Sequence, residues 1–445
     1  MPAGSLAAFP AWVDRWVEAP PEARDALLTE GERLARERRA PFLDLIRNDP
    51  QAALATAIPY ATRVRLPREI QELLEEPVSE AARFEYAVAC AMDDAHQGGE
   101  ERFIQAGTRR WNVATFGRRL DIASKANLSV IGVAMEDWLA LDEQPVRRLD
   151  DAERLARGLA PGPLWVESLG EIRALPDTNA LQRWTASLLE AEASLDPNAR
   201  PNEAPDDAVG ALSTYTEGDK RVLLITCDFT NLVGFPVTSA TLSNAMNTLT
   251  SYFFEASFGK TRLSVTHVPN LVRLPQPGQA YTNNFSLLLS HARTGASALG
   301  YDASAYDFYI VLTDEVSSGT NKFDFSYAGK AWVGSPGCHL VEPYYTLRTA
   351  GHELGHNFGL RHANYWRTDA DTPIGRDTTT GGYVGDTSNA EWVEYGHRFS
   401  VMSAQSSSDM NDRTAHFAPR EKQHLDWITA AQVAVVTNSQ TLRLY

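Results

Sequence analysis

The hydrophobic pattern is most regular in the second half of the chain. The apolar run Arg221–Cys227 predicts a buried strand. Apolar residues then recur at helical spacing and predict a helix from about Ser239 to Glu255 with one buried face. The positions of this face, which we interpret as core, are Leu242, Ala245, Met246, Leu249, Tyr252 and Phe253.

Further elements follow toward the C-terminus. Strands are expected at Thr261–Val265, Tyr306–Leu312 and Ser326–Val333, with a helix near Ser286–Ala298 and a long helix from about Tyr345. The alternation of strands and helices predicts a layered α/β or α+β domain.

The first half of the chain has a different residue composition. Residues 1–98 are rich in helix-forming residues, most densely at Pro20–Arg39 and Arg68–Cys90, and we expect a helical N-terminal region. Residues 99–195 contain strand-like segments, among them Trp111–Phe116 and Leu128–Val133, and predict a small mixed α/β unit. A Pro- and Asp-rich linker is expected at 196–208, before a final domain at 209–445.

Length and composition agree with a globular protein of two or three domains, since the chain has 445 residues, 43% of them hydrophobic. Forty-one Lys and Arg against 57 Asp and Glu give a net charge of −16, which argues against a nucleic-acid partner. The charge-free stretch Phe229–Phe254 is too rich in Ser, Thr and Asn to span a membrane.

The chain ends suggest an exported protein. The N-terminus lacks a basic segment followed by an apolar core, and residues 440–445 stop inside an alternating pattern, so we expect that both ends were trimmed. A secreted, cell-surface or periplasmic location with the signal peptide absent is expected, and a cytoplasmic one stays open. Oligomeric state is not predicted.

Three cysteines, Cys90, Cys227 and Cys338, are too few for a disulfide scaffold. A bridge between Cys227 and Cys338 is one alternative, and burial as small apolar residues is the favoured one.

One segment has the spacing of a metal site: His352-Glu353-Leu-Gly-His356-Asn-Phe-Gly359-Leu-Arg-His362. Positions i and i+4 share one helix face, so His352 and His356 can bind one ion. Gly359 tolerates the positive φ that ends a helix and turns the chain back, which would bring His362 in as third ligand. Three histidines suit a catalytic Zn²⁺ whose fourth position holds water, and Glu353 can reach that water.

This HExxHxxGxxH pattern resembles that of the metzincin zinc metallopeptidases, and Met402 in Glu394–Gln405 is the candidate for their Met-turn. The closest similarity is to the gametolysin-like branch, related to immune-inhibitor-type bacterial metallopeptidases. It rests on the segments Tyr252–Ser264, Tyr395–Gly396 and His416–Trp427. Ala404 and Ala363 stand where astacins, serralysins and adamalysins carry other residues.

The resemblance covers roughly residues 215–430 and implies an α+β multidomain protein. Its catalytic domain would have a twisted mixed sheet, an active-site helix and a Met-turn. The implied activity is zinc-dependent endopeptidase cleavage of protein or peptide substrates, with Glu353 as general base and then acid. An edge strand before the zinc helix would pair with substrate; its candidate residues are Ala328, Gly329, Lys330, Ala331 and Trp332. A catalytically silent zinc-binding adhesion or interaction module is the alternative.

Other features receive plainer interpretations. His397, His416 and His424 are expected to be ordinary core or surface residues. The acidic insertion Asp369–Asp386 could hold Ca²⁺, but its spacing matches no EF-hand, and a solvated loop is favoured.

The role of residues 1–208 is open between an inhibitory pro-domain, removed by cleavage in the 196–208 linker, and a docking domain. Cys90 lies in the apolar run Ala87–Met92. We expect it to be buried in a helix rather than to act as a metal-binding inhibitory thiol.

Overall fold

The computed structural model describes residues 4–90, 99–200, 215–316, 322–366, 392–393, 397, 400–403 and 416–434. The chain forms two compact units: unit 1 is Met1–Tyr86 with Glu101–Val209, and unit 2 is Ala87–Glu100 with Gly210–Tyr445. The predicted domain boundaries did not assign residues 87–100 to the same domain as the C-terminal half, as unit 2 does. Residues 201–208 of the predicted linker lie outside the described residues.

Unit 1 begins with helices whose apolar faces pack together. Phe9, Trp12 and Trp16 stack along the first helix and are buried with Leu34 and Ile70. The helices are α1 (Gly4–Glu18), α2 (Pro21–Asn48), α3 (Pro50–Thr56), α4 (Tyr60–Arg63) and α5 (Arg68–Gln71).

The rest of unit 1 is mainly antiparallel sheet. β1 (Glu76–Cys90) pairs through its first part with β4, which pairs with β5, while β3 pairs antiparallel with β2 and parallel with β5. These strands are β2 (Glu100–Ala106), β3 (Arg109–Ala114), β4 (Lys125–Met135) and β5 (Trp138–Leu141). A second sheet and two helices follow: β6 (Arg147–Arg148), α6 (Asp151–Ala156), β7 (Leu164–Ser168), β8 (Glu171–Leu175) and α7 (Thr178–Ala193).

The expectation of helix across Arg68–Cys90 was wrong after Gln71. The buried positions Val78, Ala82, Phe84 and Tyr86 are separated by multiples of two residues, so they share one face of a strand. The Ala, Glu and Arg content that suggested a helix is a weaker signal than this alternation once a neighbouring strand is available for pairing. The strands expected at Trp111–Phe116 and Leu128–Val133 are confirmed as β3 and β4.

Unit 2 is built around a mixed sheet. Its strand order is β10, β9, β12, β14, β13 and then residues 87–90 of β1. The first four strands run parallel, and β13 is antiparallel to β14. The strands are β9 (Gly218–Asp228), β10 (Thr261–His267), β11 (Val272–Arg273), β12 (Phe308–Thr313), β13 (Gly329–Trp332), β14 (Cys338–Val341), β15 (Tyr365–Trp366) and β16 (Trp392–Val393).

Helices cover both faces of this sheet. The helices are α8 (Ser239–Ala256), α9 (Phe285–Ala298), α10 (Leu347–Asn357) and α11 (Pro419–His424). α8 and α10 share one apolar cluster with the sheet, and α9 lies in a second cluster. The predicted elements of this domain are therefore confirmed, and the predicted core face of α8 is buried apart from Ala245, which is partly buried.

Cys227 and Cys338 are free thiols and both are fully buried. They belong to the two different apolar clusters, Cys227 to the one around α9 and Cys338 to the one around α10. The favoured expectation of burial is confirmed. Among the described helices, none has the length and apolar character needed to cross a membrane.

Candidate metal centre

Helix α10 and the turn after it determine where the three histidines lie. His352 and His356 occupy one face of the helix, which ends at Asn357. Gly359 has φ +106°, a conformation strained for residues with a side chain. Within this turn the N–H of Leu360 donates to the Gly355 carbonyl at 3.0 Å, so the chain reverses and brings His362 back toward the helix.

The structure brings the three imidazole rings together. Ring centroids are 4.6 Å apart for His352 and His356, 5.4 Å for His352 and His362, and 5.0 Å for His356 and His362. His352 and His356 are buried, whereas His362 is partly buried.

Backbone carbonyls fix the tautomers of two of these rings. His352 Nδ1 donates to the Val401 carbonyl at 2.9 Å, and His356 Nδ1 donates to the Leu360 carbonyl at 2.8 Å. A carbonyl can only accept, so Nδ1 bears the hydrogen in both rings and each neutral ring has its lone pair on Nε2.

These two Nε2 atoms lie only 2.9 Å apart. Burial first, and then a neighbouring histidine, hold the pKa of His352 and of His356 well below the usual value, so both rings are neutral. Two lone pairs facing each other repel unless a cation lies against both. The donor set therefore fits a divalent metal ion, and three neutral imidazoles are the ligands that zinc favours at catalytic sites.

Glu353 lies beside the histidines as a fully buried carboxyl group. Neither of its oxygens has a well-formed hydrogen bond, and burial raises its pKa well above the usual value, while the nearby Cys90 thiol acts in the opposite direction. Gly329 makes the space for this side chain: a Cβ at that position would lie 2.5 Å from Glu353 Oε1.

Met402 packs directly beneath α10. Its side chain is fully buried, and a Cβ on Gly355 would collide with its sulfur. Its carbonyl accepts from the N–H of Ala363 at 2.8 Å, and Val401 before it orients His352. The segment 401–403 thus supports both the helix and the chain that carries His362.

Asn357 is a positioning residue that the sequence analysis missed. Its buried Nδ2 lies 3.0, 2.9 and 3.0 Å from the carbonyl oxygens of Trp332, Ser335 and Gly337. These contacts join the end of the histidine helix to the β13–β14 hairpin. An Asn next to a candidate ligand was the available sequence signal, but its partners are backbone groups that no motif reveals.

The predicted substrate strand is present as β13, with Ala328 just before it, and its outer edge is paired with the chain's own residues 87–90. The antiparallel register sets Ala87 opposite Trp332, Val88 opposite Ala331, Ala89 opposite Lys330 and Cys90 opposite Gly329. The N–H of Ala328 also donates to the Cys90 carbonyl at 3.1 Å.

Cys90 joins the histidines, contrary to the expectation of a thiol buried in a helix. It ends strand β1, is partly exposed, and its sulfur and one nitrogen each of His352 and His362 all lie within 4.8 Å of one another. Burial, and then the charge of Glu353, raise the pKa of Cys90. The apolar run 87–92 is as typical of a strand covered on both faces as of a buried helix. Its composition therefore did not distinguish a helix from a strand.

Other predicted features lie apart from this cluster or outside the described residues. His416 stacks against Tyr252 with ring centroids 5.6 Å apart, and the N–H of His397 donates to the Ala363 carbonyl at 3.2 Å. Within the described ranges, Cys90, His352 and His362 form the one group of metal-ligating side chains that meets this distance, and it includes neither His416, His397 nor His424. The insertion Asp369–Asp386 lies outside the described residues.

Comparison with known proteins gives a distant likeness among solved structures. No protein-family model matches the chain, and the comparison with curated proteins found no match. The crystal structure of metalloproteinase-II from Bacteroides fragilis is similar with a TM-score of 0.22 and 11% identity, over 61% of this chain and 80% of that one. A likeness at this level shows nothing about the function of this chain.

Proposed function

We propose that the protein is a zinc-dependent endopeptidase with its site in unit 2. The supporting observation is the 2.9 Å approach of the His352 and His356 Nε2 atoms, both held as lone-pair donors, beside the buried carboxyl of Glu353. His352, His356 and His362 would hold the ion. When bound, zinc supplies Lewis acidity and acidifies a water molecule.

Glu353 is the proton-transfer group of this proposal. It follows His352 directly on α10 and its carboxyl is shielded from bulk solvent, so it could exchange a proton with a water molecule held by the bound metal. It accepts the proton of the attacking water and then returns it to the departing amine.

Strand β13 is the proposed substrate-binding edge. Peptide chains bind sheet edges through backbone hydrogen bonds, and residues 87–90 show that this edge takes an antiparallel strand. Gly329 places the same strand against Glu353. Membership of the gametolysin-like branch and export from the cell stay predictions.

The test measures metal content and hydrolysis on the same material. Elemental analysis of the full chain should give one zinc per molecule. The full chain is first cleaved briefly with trypsin, and the trypsin is then inhibited. The treated protein should cut denatured casein into fragments, and a chelator should prevent this cleavage.

The variant Glu353→Gln keeps size and shape but cannot accept a proton. It should retain zinc and lose about 10²–10⁴-fold in rate. Full zinc with no hydrolysis by either protein would favour the silent binding module, and an absence of stoichiometric metal would reject both.

A further inference from the structure

A serine, a histidine and a threonine meet in unit 2 on the side of the sheet order that is far from β13. Ser239 Oγ lies 3.4 Å from His267 Nδ1, and His267 Nε2 lies 3.4 Å from Thr226 Oγ1. His267 belongs to β10, which is separated from β13 by the strands β9, β12 and β14. At the usual strand spacing the two strands are roughly 19 Å apart. The cluster is therefore separate from the proposed substrate-binding edge.

The fold explains why these three side chains converge. β9, α8 and β10 form one strand–helix–strand crossover in which the two strands pair in parallel. Thr226 and His267 lie at the carboxyl ends of their strands, and Ser239 is the first residue of the connecting helix. The carboxyl ends of parallel strands and the N-termini of the helices that follow them meet at one edge of such a sheet, where binding and catalytic residues gather.

The exposure of the three residues suits a nucleophile, its base and a supporting group. Ser239 is exposed, His267 is half-buried and Thr226 is buried. Burial lowers the pKa of His267, so its ring is neutral near pH 7 and can accept a proton. Both 3.4 Å distances are at the long end for hydrogen bonds, which is common for catalytic pairs before a substrate binds.

The start of α8 provides a place for negative charge next to Ser239. The first N–H groups of a helix have no acceptor within the helix and carry partial positive charge. One of them, the N–H of Thr241, donates to Thr238 Oγ1 at 3.2 Å. The N–H of Ala240 directly follows Ser239. An N–H in this position stabilises the oxyanion that forms when a serine attacks a carbonyl group.

We propose that Ser239 is the nucleophile of a second site, which hydrolyses esters, with His267 as its base and Thr226 as the residue that positions the imidazole. Ser239 Oγ bonds to the acyl carbon while its proton passes to His267 Nδ1. The ester C–O bond then breaks and the departing alcohol takes that proton. Water next attacks the acyl-serine and gives a proton to His267, which returns it to Ser239 as the acid is released.

The group that supports His267 indicates the substrate class. Thr226 offers the ring a hydroxyl, whereas a carboxylate would stabilise the imidazolium that forms during attack. A less stabilised imidazolium favours substrates whose leaving group departs easily, as the alcohol of an ester does and the amine of a peptide does not. The proposed substrates are therefore carboxylic esters. This activity goes beyond the proposed peptidase function and does not depend on it.

A fluorophosphonate probe tests the nucleophile on the full chain. The probe bonds to serine hydroxyls that a base activates, and peptide mapping by mass spectrometry locates the adduct. We expect a label on Ser239, and His267→Gln should slow this labelling at least a hundredfold. Ser251→Ala is the matched control on α8, because this exposed serine donates to the Asn247 carbonyl, and it should leave the labelling rate unchanged. No label on Ser239, or equal rates for wild type and His267→Gln, would overturn the proposal.

The role of Thr226 is tested through the tautomer of His267. Nitrogen NMR shifts should place the ring hydrogen on Nε2, facing Thr226, which leaves Nδ1 free to accept from Ser239. Thr226→Val should move the hydrogen toward Nδ1 and slow labelling about tenfold, the effect of one hydrogen bond. Thr226→Ser should restore both properties. A wild-type ring with its hydrogen on Nδ1 would contradict the role of His267 as base.

Ester hydrolysis is measured in the Glu353→Gln chain, because that substitution removes the proton-transfer group of the metal centre. Para-nitrophenyl acetate should give a burst of about one nitrophenolate per chain as the acyl-serine accumulates. Adding Ser239→Ala to this chain should abolish the burst, and an unchanged burst would overturn this proposal without affecting the peptidase. Labelling of Ser239 in a protein that cuts no casein would support the second site and reject the peptidase alone.

Discussion

Gly329 and Glu353 share one small space: a Cβ on Gly329 would lie 2.5 Å from the Glu353 Oε1 atom. Gly329→Ala must therefore displace the carboxyl from its place beside His352. We expect zinc binding to persist and the hydrolysis rate to fall about a hundredfold, the effect of misplacing a catalytic group by about 1 Å. Gly99→Ala is the control because a Cβ at Gly99 meets nothing within 4 Å, and an unaffected Gly329→Ala would contradict the role of this space.

Gly359→Ala tests the bend after the helix. With φ +106° the position strains any residue that has a side chain, and we expect the free energy of unfolding to fall by about 1–3 kcal/mol. Zinc affinity should fall as well, because His362 follows the bend. Gly351→Ala is the control within the same helix, because a Cβ there meets its nearest neighbour at an ordinary 3.6 Å. Denaturant titration should show an unchanged free energy of unfolding for this variant, and metal competition should show an unchanged zinc affinity.

Metal removal should destabilise unit 2. Without a cation, the lone pairs of His352 and His356 face each other at 2.9 Å. Free zinc at 100 times its dissociation constant would stabilise the folded state by about 2.7 kcal/mol. Calorimetry with and without chelator should show the corresponding drop in Tm, and the drop should be smaller for His362→Gln. A Tm unchanged by the chelator would argue against a bound metal.

His339 predicts an acid-dependent loss of stability away from the metal centre. It is fully buried between Thr313 and Tyr327, 2.9 Å from each hydroxyl, and burial, followed by the charge of Lys330, lowers its pKa to about 3. In the unfolded chain this histidine has its ordinary pKa near 6.5, so above that pH the ring is neutral in both states and the folded protein has its full stability. It is lost as pH falls toward 3, by about 1.4 kcal/mol per pH unit.

Denaturant titration of metal-free protein between pH 7 and pH 4 measures this slope. His339→Gln can still bond both hydroxyls but does not titrate, so its stability should fall less steeply. Parallel curves for wild type and His339→Gln would refute the prediction.

The histidine motif was readable from sequence because its geometry is local. One helix and one glycine bend bring together residues 352 to 362, and helical periodicity alone places His352 over His356. The groups that complete the site come from far along the chain: Val401 is 49 residues from His352, and Cys90 belongs to the N-terminal half. Pairing of Ala87–Cys90 with β13 depends on tertiary contacts, which override the helix-like composition of residues 68–90.

The hydrogen bonds that orient His352 and His356 end on carbonyl oxygens of Val401 and Leu360. Every amino acid has such a carbonyl, so exchange of either residue leaves the acceptor in place. Sequence drift at these two positions can therefore proceed without erasing the orientation of the rings. The orientation of the two rings depends on the path of the backbone, and only a change in that path would remove it.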